Sequence, residues 1–407
     1  MKIEITVEEP EEPKKGPAEK GDKAAEKGAK GAAAGKGAAK KGAKARGAEG
    51  AAAAKGAKAT KGAEGVAPAK DAEAAAKGAE GAEAAEPKSE ACTLSDGVVA
   101  PREERPKLPV RSTERDARGA YDLHTHSTFS DGSCTVDELI GLARERGLGA
   151  MAITDHDCLC QLSEVRERAR ALGFPVLAGI EASAFDPARG RKVHVLGYCL
   201  EATPEGDGPI ERIVNETLRA RTANTLWQAW VLQREGAEFG GHTVSLDEVC
   251  AVAGDSTGVY KQHVMEALTS RPYVDPDYQF ACWCNLKGES PANHDISYPD
   301  AVAVVRAIRE QGGVPVLAHP GQLNSWDLVP DLVKAGLMGI EAFHPDHTEA
   351  DEERVFELAR TYGLFVTGGS DFHGRYGRPE APGCRFVRPE EAGEPVQELF
   401  EREAALS

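Results

Sequence analysis

The N-terminal part of this 407-residue chain lacks the residues that build a hydrophobic core. No aromatic residue precedes Tyr121 and no cysteine precedes Cys92, and most of the segment consists of Ala, Gly, Lys and Glu. Such a composition cannot bury enough apolar surface to offset the entropy that is lost when a chain becomes ordered. We therefore predict a long, disordered, low-complexity tail over residues 1–118. A short strand over residues 1–7 is the one ordered element that we consider there.

Positive charge is concentrated in one tract of this tail, although the whole chain is acidic. Residues 14–62 contain 14 Lys or Arg and 4 Asp or Glu, whereas the net charge of all 407 residues is −17. A basic tract of this kind can bind nucleic acid weakly through sequence-independent phosphate contacts. The alternative is a solubilising tail without a specific ligand, which the lack of interleaved aromatic residues favours.

Long apolar segments are also missing. No stretch approaches the ~20 apolar residues that a membrane-spanning helix needs, and the initial MKIEITVEEPEEP contains no apolar core of a signal peptide. We therefore expect no membrane association. The chain contains nine cysteines, an odd number, and no export signal, which indicates reduced thiols and a cytoplasmic location.

From Ala120 onward, short apolar segments alternate with segments of helical periodicity. LGAMAIT and FPVLAGIE are typical of buried strands, whereas TVDELIGLARERG has apolar residues at helical spacing, with Thr135 and Glu138 placed as a capping box. This alternation predicts parallel strands with crossover helices, in an α/β barrel or a doubly wound sheet. Residues 202–300 interrupt it with long amphipathic segments. We predict that they form a helical insertion that caps the barrel mouth.

Metal-binding types of side chain follow several of the predicted strands. His124 and His126 lie two residues apart, so on a strand both imidazoles would point to one face, although one such pair is equally compatible with a structural role. Ionisable residues at the end of a buried strand need partners or a metal ion, and the ends of parallel strands meet at one edge. Six strand ends therefore favour one site in a closed barrel: His124, Thr154 to His156, Glu181, His319, His344, and Ser370 with Asp371.

Six segments resemble, in order, the motifs of the PHP (polymerase and histidinol phosphatase) family. They are HTHSTFSDG, ITDHD, GIE, HVLGY, LAHPG and SDFH, and the resemblance covers residues 119–388. It implies a distorted (β/α)7 barrel that holds two or three divalent metal ions at its mouth. Residues 119–201 would form the first part of this barrel and residues 301–407 the second.

The resemblance also implies the ligands of each metal ion. The first ion would be bound by His124, His126, Glu181 and Asp371. Glu181 would bridge to a second ion that is also bound by His194 and His319, although His194 taken alone suits a core histidine. The third would be bound by Asp131, His156 and His373. Mixed imidazole and carboxylate ligands suit Mn²⁺, Fe²⁺ or Zn²⁺, of which we expect Mn²⁺.

Further residues receive roles from the same comparison. Asp155 and Asp157 are expected to support the ligands without binding metal. Many members have a histidine where this chain has Asp131, and the aspartate resembles the branch that cleaves nucleotides and ribose phosphates. The segment GVYKQH resembles that branch's G-R-P-H, with Lys261 and Gln262 in place of Arg and Pro. The predicted phosphate-binding residues are Lys261, His263, Arg375 and Arg378, and the predicted general acid or phosphate donor is His344 or His347. The alternative for Lys261 is a solvated position on a helix.

The reaction that this resemblance implies is hydrolysis of phosphate esters of a small nucleotide or phosphorylated sugar. A hydroxide that bridges two metal ions would attack the phosphorus. Three substrates stay open: a nucleoside 3′,5′-bisphosphate, a ribose 1,2-cyclic phosphate with a 5-phosphate, and the 5′ end of short RNA. A nucleic-acid-binding protein that uses the basic tail is the alternative from another class, and the complete set of predicted ligands argues against it.

Overall fold

The computed structural model describes residues 116–239, 242–269, 284, 287–377 and 381–406. The predicted tail up to residue 115, the strand over residues 1–7, the basic tract 14–62 and Arg378 lie outside the described residues. Ala117 is already buried in the core. The packed part of the chain therefore begins before residue 119, where we had placed the tail boundary.

Seven strands form one sheet, and two more form a separate hairpin. The order in the large sheet is β1-β2-β3-β4-β7-β8-β9, and β5 pairs with β6. The strands are β1 (Tyr121–Asp122), β2 (Ala150–His156), β3 (Val176–Asp186), β4 (Arg191–Tyr198), β5 (Glu238–Phe239), β6 (His242–Thr243), β7 (Val314–Leu317), β8 (Gly339–Phe343) and β9 (Phe365–Gly368).

The two edges of the large sheet approach each other and nearly close it into a barrel. The backbone N–H of Leu123, just after β1, donates to the carbonyl of Gly368 at 3.0 Å. The N–H of Asp371 donates to the carbonyl of His124 at 2.8 Å. These bonds bring the segment after β1 beside the segment after β9. The predicted α/β barrel is thereby confirmed.

Strand β4 departs from the parallel arrangement that we predicted. It is antiparallel to both of its neighbours, β3 and β7, because a short loop over residues 187–190 joins β3 to β4 as a hairpin rather than through a crossover helix. Two consequences concern the site. The N-terminal half of β4 lies at the end of the barrel where the parallel strands finish. Glu181, which we had placed at a strand end, lies in the middle of β3, opposite Leu196.

The helices cover the outside of the barrel and form the insertion. Helix α1 begins with the predicted capping box, in which Thr135 and Glu138 bond to each other's backbone N–H groups. Within the described residues, no helix combines the length and apolar character needed to cross a membrane. The helices are α1 (Val136–Glu145), α2 (Leu162–Leu172), α3 (Pro209–Glu235), α4 (Leu246–Ala253), α5 (Lys261–Thr269), α6 (Ala301–Glu310), α7 (Val329–Ala335), α8 (Glu349–Tyr362), α9 (Pro389–Ala392) and α10 (Glu394–Leu406).

The segment between β4 and α6 has an apolar cluster of its own. Helices α3, α4 and α5 pack around Leu232, Val249, Val264 and Met265, all of which are buried. The larger cluster lies between the barrel and its surrounding helices. The helical character predicted for this segment agrees with these elements, whereas the exact boundaries 202 and 300 stay a prediction.

Candidate metal centre

The nine side chains predicted as metal ligands meet at one end of the barrel. They form three adjoining groups, and within each group one donor atom of every residue lies within 4.8 Å of the others. The groups are His124, His126, Glu181 and Asp371; Glu181, His194 and His319; and His126, Asp131, His156 and His373. The first two groups are the predicted sets, and the third is the predicted set with His126 added.

Glu181 lies at the centre of this arrangement and faces two pairs of histidines. Its Oε2 is 3.2 Å from His124 Nε2 and 3.1 Å from His126 Nε2. Its Oε1 is 2.8 Å from His194 Nδ1 and 2.9 Å from His319 Nε2. A carboxylate with one oxygen in each of two donor groups has the geometry needed to bridge two cations.

Asp131 is brought to the third group by a tight turn after β1. Gly132 is required there because a Cβ at this position would lie 2.3 Å from the carbonyl oxygen of His126. Asp131 Oδ1 is 3.4 Å from His373 Nε2, whereas Oδ2 accepts a hydrogen bond from Gln262 Nε2 at 2.8 Å. Gln262, which replaces the proline of the family motif, therefore fixes the orientation of this carboxylate.

Unsatisfied buried atoms show that this cluster suits cations. Among the described residues, His124 Nε2, both ring nitrogens of His126, Asp131 Oδ1, His319 Nδ1 and Asp371 Oδ1 are buried without a hydrogen-bond partner. Leaving such atoms unpaired costs free energy, and native proteins normally avoid it. Divalent ions among these imidazole and carboxylate donors would satisfy most of these atoms, so the residues present fit the metal ions that the fold implies.

The charges in the cluster balance through the histidines. Burial alone would raise the pKa of Glu181, but His194 and His124 hold it well below its usual range. Burial likewise acts to lower the pKa of His126, but the nearby carboxylates of Asp371 and Glu181 outweigh it and raise that pKa to about 10. Protons on His124 and His126 thus compensate part of the negative charge of the buried carboxylates. Metal binding would release those protons.

Glu341 is a buried residue next to the proposed ligands that we did not predict. It lies in β8 with no exposed surface, and its Oε1 is 3.2 Å from His124 Nδ1. Its Oε2 accepts the backbone N–H of His319 at 2.8 Å. It therefore orients two proposed ligands at once. The triplet Gly-Ile-Glu occurs twice, ending once at Glu181 and once at Glu341. The second occurrence was the signal in the sequence that could have identified Glu341.

The two aspartates predicted to support the ligands contact neighbouring loops and strands. Asp155 accepts hydrogen bonds from the N–H and hydroxyl of Ser127 and from the hydroxyl of Ser130, and so fixes the turn that carries Asp131. Asp157 accepts the N–H of Ser183 at 2.8 Å and the guanidinium of Arg221 at 2.9 Å. The second contact ties helix α3 of the insertion to the end of β2.

The two histidines predicted as proton or phosphate donors differ in their surroundings. His344 is buried with its Nε2 3.4 Å from Asp371 Oδ2, so this nitrogen faces the metal centre. Both nitrogens of His347 are engaged elsewhere: Nδ1 donates to the carbonyl of Ala342 at 2.7 Å and Nε2 accepts the N–H of Gly321 at 3.0 Å. These hydrogen bonds favour a structural role for His347, and its role as a proton or phosphate donor stays a prediction.

The predicted phosphate-binding residues also differ in their surroundings. Lys261 lines the cleft beside the metal centre, whereas His263 and Arg375 do not. His263 is buried, and burial lowers its pKa to about 4, so the ring is neutral and offers no positive charge to a phosphate. The guanidinium of Arg375 is bound by Glu266 on α5. A phosphate at Arg375 would have to compete with that carboxylate.

The sheet forms a nearly closed seven-stranded barrel, and adjoining groups of imidazole and carboxylate donors lie at its mouth. This combination places the protein in the class of metal-dependent hydrolases. The PHP domain family matches residues 122–229. A phosphoribosyl 1,2-cyclic phosphate 1,2-diphosphodiesterase of Eggerthella lenta is 47% identical over 264 residues, which are 65% of this chain and 98% of that protein. The chain belongs to the PHP family, and it is a metal-dependent phosphoesterase.

More distant relatives agree with this assignment. A 3′,5′-nucleoside bisphosphate phosphatase of Chromobacterium violaceum is 30% identical over 262 residues, 62% of this chain and 86% of that protein. The 5′-3′ exoribonuclease Rnm of Escherichia coli is 27% identical over 272 residues, 62% of this chain and 85% of that protein. The crystal structure of a candidate metal-dependent phosphoesterase from Bifidobacterium adolescentis superposes on this protein with a TM-score of 0.59. The two sequences are 28% identical, and the match covers 70% of this chain and 96% of that one.

Proposed function

We propose that this enzyme opens the cyclic phosphodiester of a ribose 1,2-cyclic phosphate that carries a 5-phosphate. The arrangement of nine donor side chains, with Glu181 at its centre, at one end of a cleft carries the proposal that a phosphate ester is hydrolysed there. The 47% identity to the Eggerthella lenta diphosphodiesterase, across 98% of that protein, supports the choice of substrate.

The metal ions are proposed to be two or three Mn²⁺ ions, bound by the three groups of donors. When bound, such ions activate water for attack and neutralise the phosphoryl oxygens. The protein's own contribution is to orient the ligands, through Glu341 and Gln262, and to place polar groups around the substrate. Lys261 is proposed to bind a phosphate oxygen. His344, whose Nε2 faces the centre, is proposed to protonate the departing sugar oxygen.

One activity screen tests the substrate. The Mn²⁺-loaded protein is given ribose 1,2-cyclic phosphate 5-phosphate, a nucleoside 3′,5′-bisphosphate and 5′-phosphorylated RNA at equal concentrations. We expect the highest kcat/KM for the cyclic phosphate, with ring opening followed by ³¹P NMR. A kcat/KM at least tenfold higher for either other substrate would reject this substrate assignment.

A variant with both His124→Ala and His126→Ala tests the site. We expect this variant to lose bound metal, because two donors of one group are removed. Its phosphoesterase activity should fall by at least about 10³-fold. Phosphatase activity that persists together with full metal content would reject the proposed centre.

Two further properties are proposed on chemistry alone. A cytoplasmic location is supported by the cysteines among the described residues, which are free thiols: Cys134, Cys158, Cys160, Cys199, Cys250, Cys284 and Cys384. Weak nucleic-acid binding by residues 14–62 is supported by their positive charge.

A further inference from the structure

A cleft of about 540 Å³ extends from the metal centre to the insertion. Asp131, His156 and His194 form one end of it. Lys192 of β4, Cys284 and residues of the segment 287–298 contribute to the rest of the wall. A ligand whose reacting phosphate lies at the metal centre would therefore extend toward this second region.

Among the described residues that line the cleft, cationic side chains outnumber carboxylates. The two carboxylates are Asp131, which belongs to the proposed metal centre, and Asp295, whose Oδ2 is 2.6 Å from Lys192 Nζ. An excess of positive charge in a concave site raises the local concentration of anions. The four cationic side chains are Lys192, Arg221, Lys261 and Lys287.

Two of these cations are held around one aromatic ring. Lys192 Nζ lies 4.8 Å and Arg221 Cζ lies 5.8 Å from the centroid of Tyr298. The Arg221 guanidinium also donates to Asp157 at 2.9 Å and to Ser183 Oγ at 2.7 Å, so its position is fixed by strands β2 and β3. The positive region is thus organised before a ligand arrives, which reduces the entropy lost on binding.

The spacing along β4 fits a ligand with two phosphates. Lys192 and His194 are two residues apart, and they alternate with the buried Val193 and Val195, so both lie on the cleft face. The rise of a strand places their Cα atoms roughly 7 Å apart. A phosphate at the metal centre and a second one beyond a sugar ring would span a distance of this order.

We infer that Lys192, with Arg221 and Lys287 beside it, binds a second phosphate of the substrate, remote from the ester that is hydrolysed. The inference rests on the proposed function, in which this group is the 5-phosphate of the ribose. Lys192 and Asp295 are both about half exposed, at 48% and 55%, and an exposed ion pair of this kind is weak. The phosphate would replace Asp295 as the partner of Lys192.

Paired substrates test this role. The kcat/KM values for ribose 1,2-cyclic phosphate with and without the 5-phosphate are compared in the wild type and in Lys192→Met, which keeps the length of the side chain. We expect a loss of roughly tenfold for the 5-phosphorylated substrate, the size of one charge-assisted hydrogen bond, and no change for the other. Lys192→Arg should retain most of the preference.

Lys334→Met is the matched control, because Lys334 is exposed on α7, pairs with Asp331 and lies outside the cleft. It should leave both kcat/KM values unchanged. Equal losses for both substrates in Lys192→Met, or no loss for either, would overturn the inference.

A binding measurement separates this inference from the proposed function. Equilibrium dialysis of ribose 5-phosphate should give a Kd roughly tenfold higher for Lys192→Met than for the wild type, and an unchanged Kd would also overturn the inference. If the wild type hydrolyses a nucleoside 3′,5′-bisphosphate and not the cyclic phosphate, the proposed substrate fails. The Lys192 comparison is then made between that bisphosphate and the nucleoside 3′-monophosphate.

Discussion

Glu341 connects two of the proposed metal ligands. Its carboxylate is 3.2 Å from the ring of His124 and accepts the backbone N–H of His319. A carboxylate behind a metal-binding imidazole fixes the orientation of the ring and raises the basicity of its donor nitrogen. Glu341 would therefore act on metal affinity without binding the metal itself.

Glu341→Gln is expected to lower metal affinity. The amide keeps the shape of the side chain but lacks the negative charge, so His124 would be a weaker donor. We expect Mn²⁺ to bind about 10- to 100-fold more weakly, measured by isothermal titration calorimetry of the metal-free protein.

Glu403→Gln supplies the control for this prediction. Glu403 is also buried, but it pairs with Arg166 at 2.7 Å on the outer side of the barrel. Its substitution should lower the free energy of unfolding and leave the Mn²⁺ affinity unchanged. Equal Mn²⁺ affinities for Glu341→Gln and the wild type would show that Glu341 has no role at the metal centre.

Helix α5 of the insertion contacts a loop of the barrel that holds a predicted phosphate-binding residue, Arg375. Glu266 of α5 contacts both the guanidinium of Arg375 and the hydroxyl of Tyr376, in the turn that follows β9. Arg375 also donates its backbone N–H to Ser133 Oγ at 2.8 Å, next to the turn that carries Asp131. The insertion is thus fixed to two loops that hold proposed metal ligands.

This contact predicts that Arg375 stabilises the fold rather than binding phosphate. The Arg375 and Glu266 side chains are only 9% and 16% exposed, so removal of one partner leaves a largely buried charge. We expect Arg375→Ala or Glu266→Ala to lower the free energy of unfolding by about 3 kcal/mol. The double variant should lose less than the sum of the two, as urea denaturation would measure.

Kinetics separate the two roles of Arg375. If it acts only through Glu266, Arg375→Ala and Glu266→Ala should change KM similarly and by a small factor. A KM raised more than tenfold in Arg375→Ala alone, with stability unchanged, would support phosphate binding instead.

At the scale of the whole molecule, the metal centre is a concentration of buried charge. Glu181, Asp131 and Asp371 are gathered among six histidines, and several donor atoms lack a hydrogen-bond partner in the described part of the chain. A ligand that binds only the folded state stabilises it, by about 2.7 kcal/mol at a free concentration of one hundred times its Kd. Metal ions should therefore stabilise the barrel as a whole.

Removal of metal is expected to lower the unfolding temperature. A chelator should decrease Tm by roughly 5 °C for a domain of this size, and Mn²⁺ in excess should restore it, as followed by calorimetry. The variant with His124→Ala and His126→Ala should show a smaller shift. An unchanged Tm after metal loss has been verified by elemental analysis would contradict a stabilising centre.

The barrel, the family and the nine residues that converge at the barrel mouth could all be predicted from the amino-acid sequence. These features depend on local patterns: most motifs place polar residues near the end of an apolar segment, and His124 and His126, which follow β1 two residues apart, both reach the site. The capping box of Thr135 and Glu138 was predictable for the same reason, since three residues separate its members.

Most of the side chains that face the cleft could not be predicted from the sequence, because they are brought together by the folded chain. Glu266 and Arg375 are 109 residues apart in the chain, and His347 meets Gly321 across two different loops. The direction of β4 followed from a hairpin that the alternation of strands and helices did not reveal. That direction places Lys192 in the wall of the cleft that leads to the metal centre. Contacts between distant segments depend on packing in three dimensions, so no local pattern in the sequence encodes them.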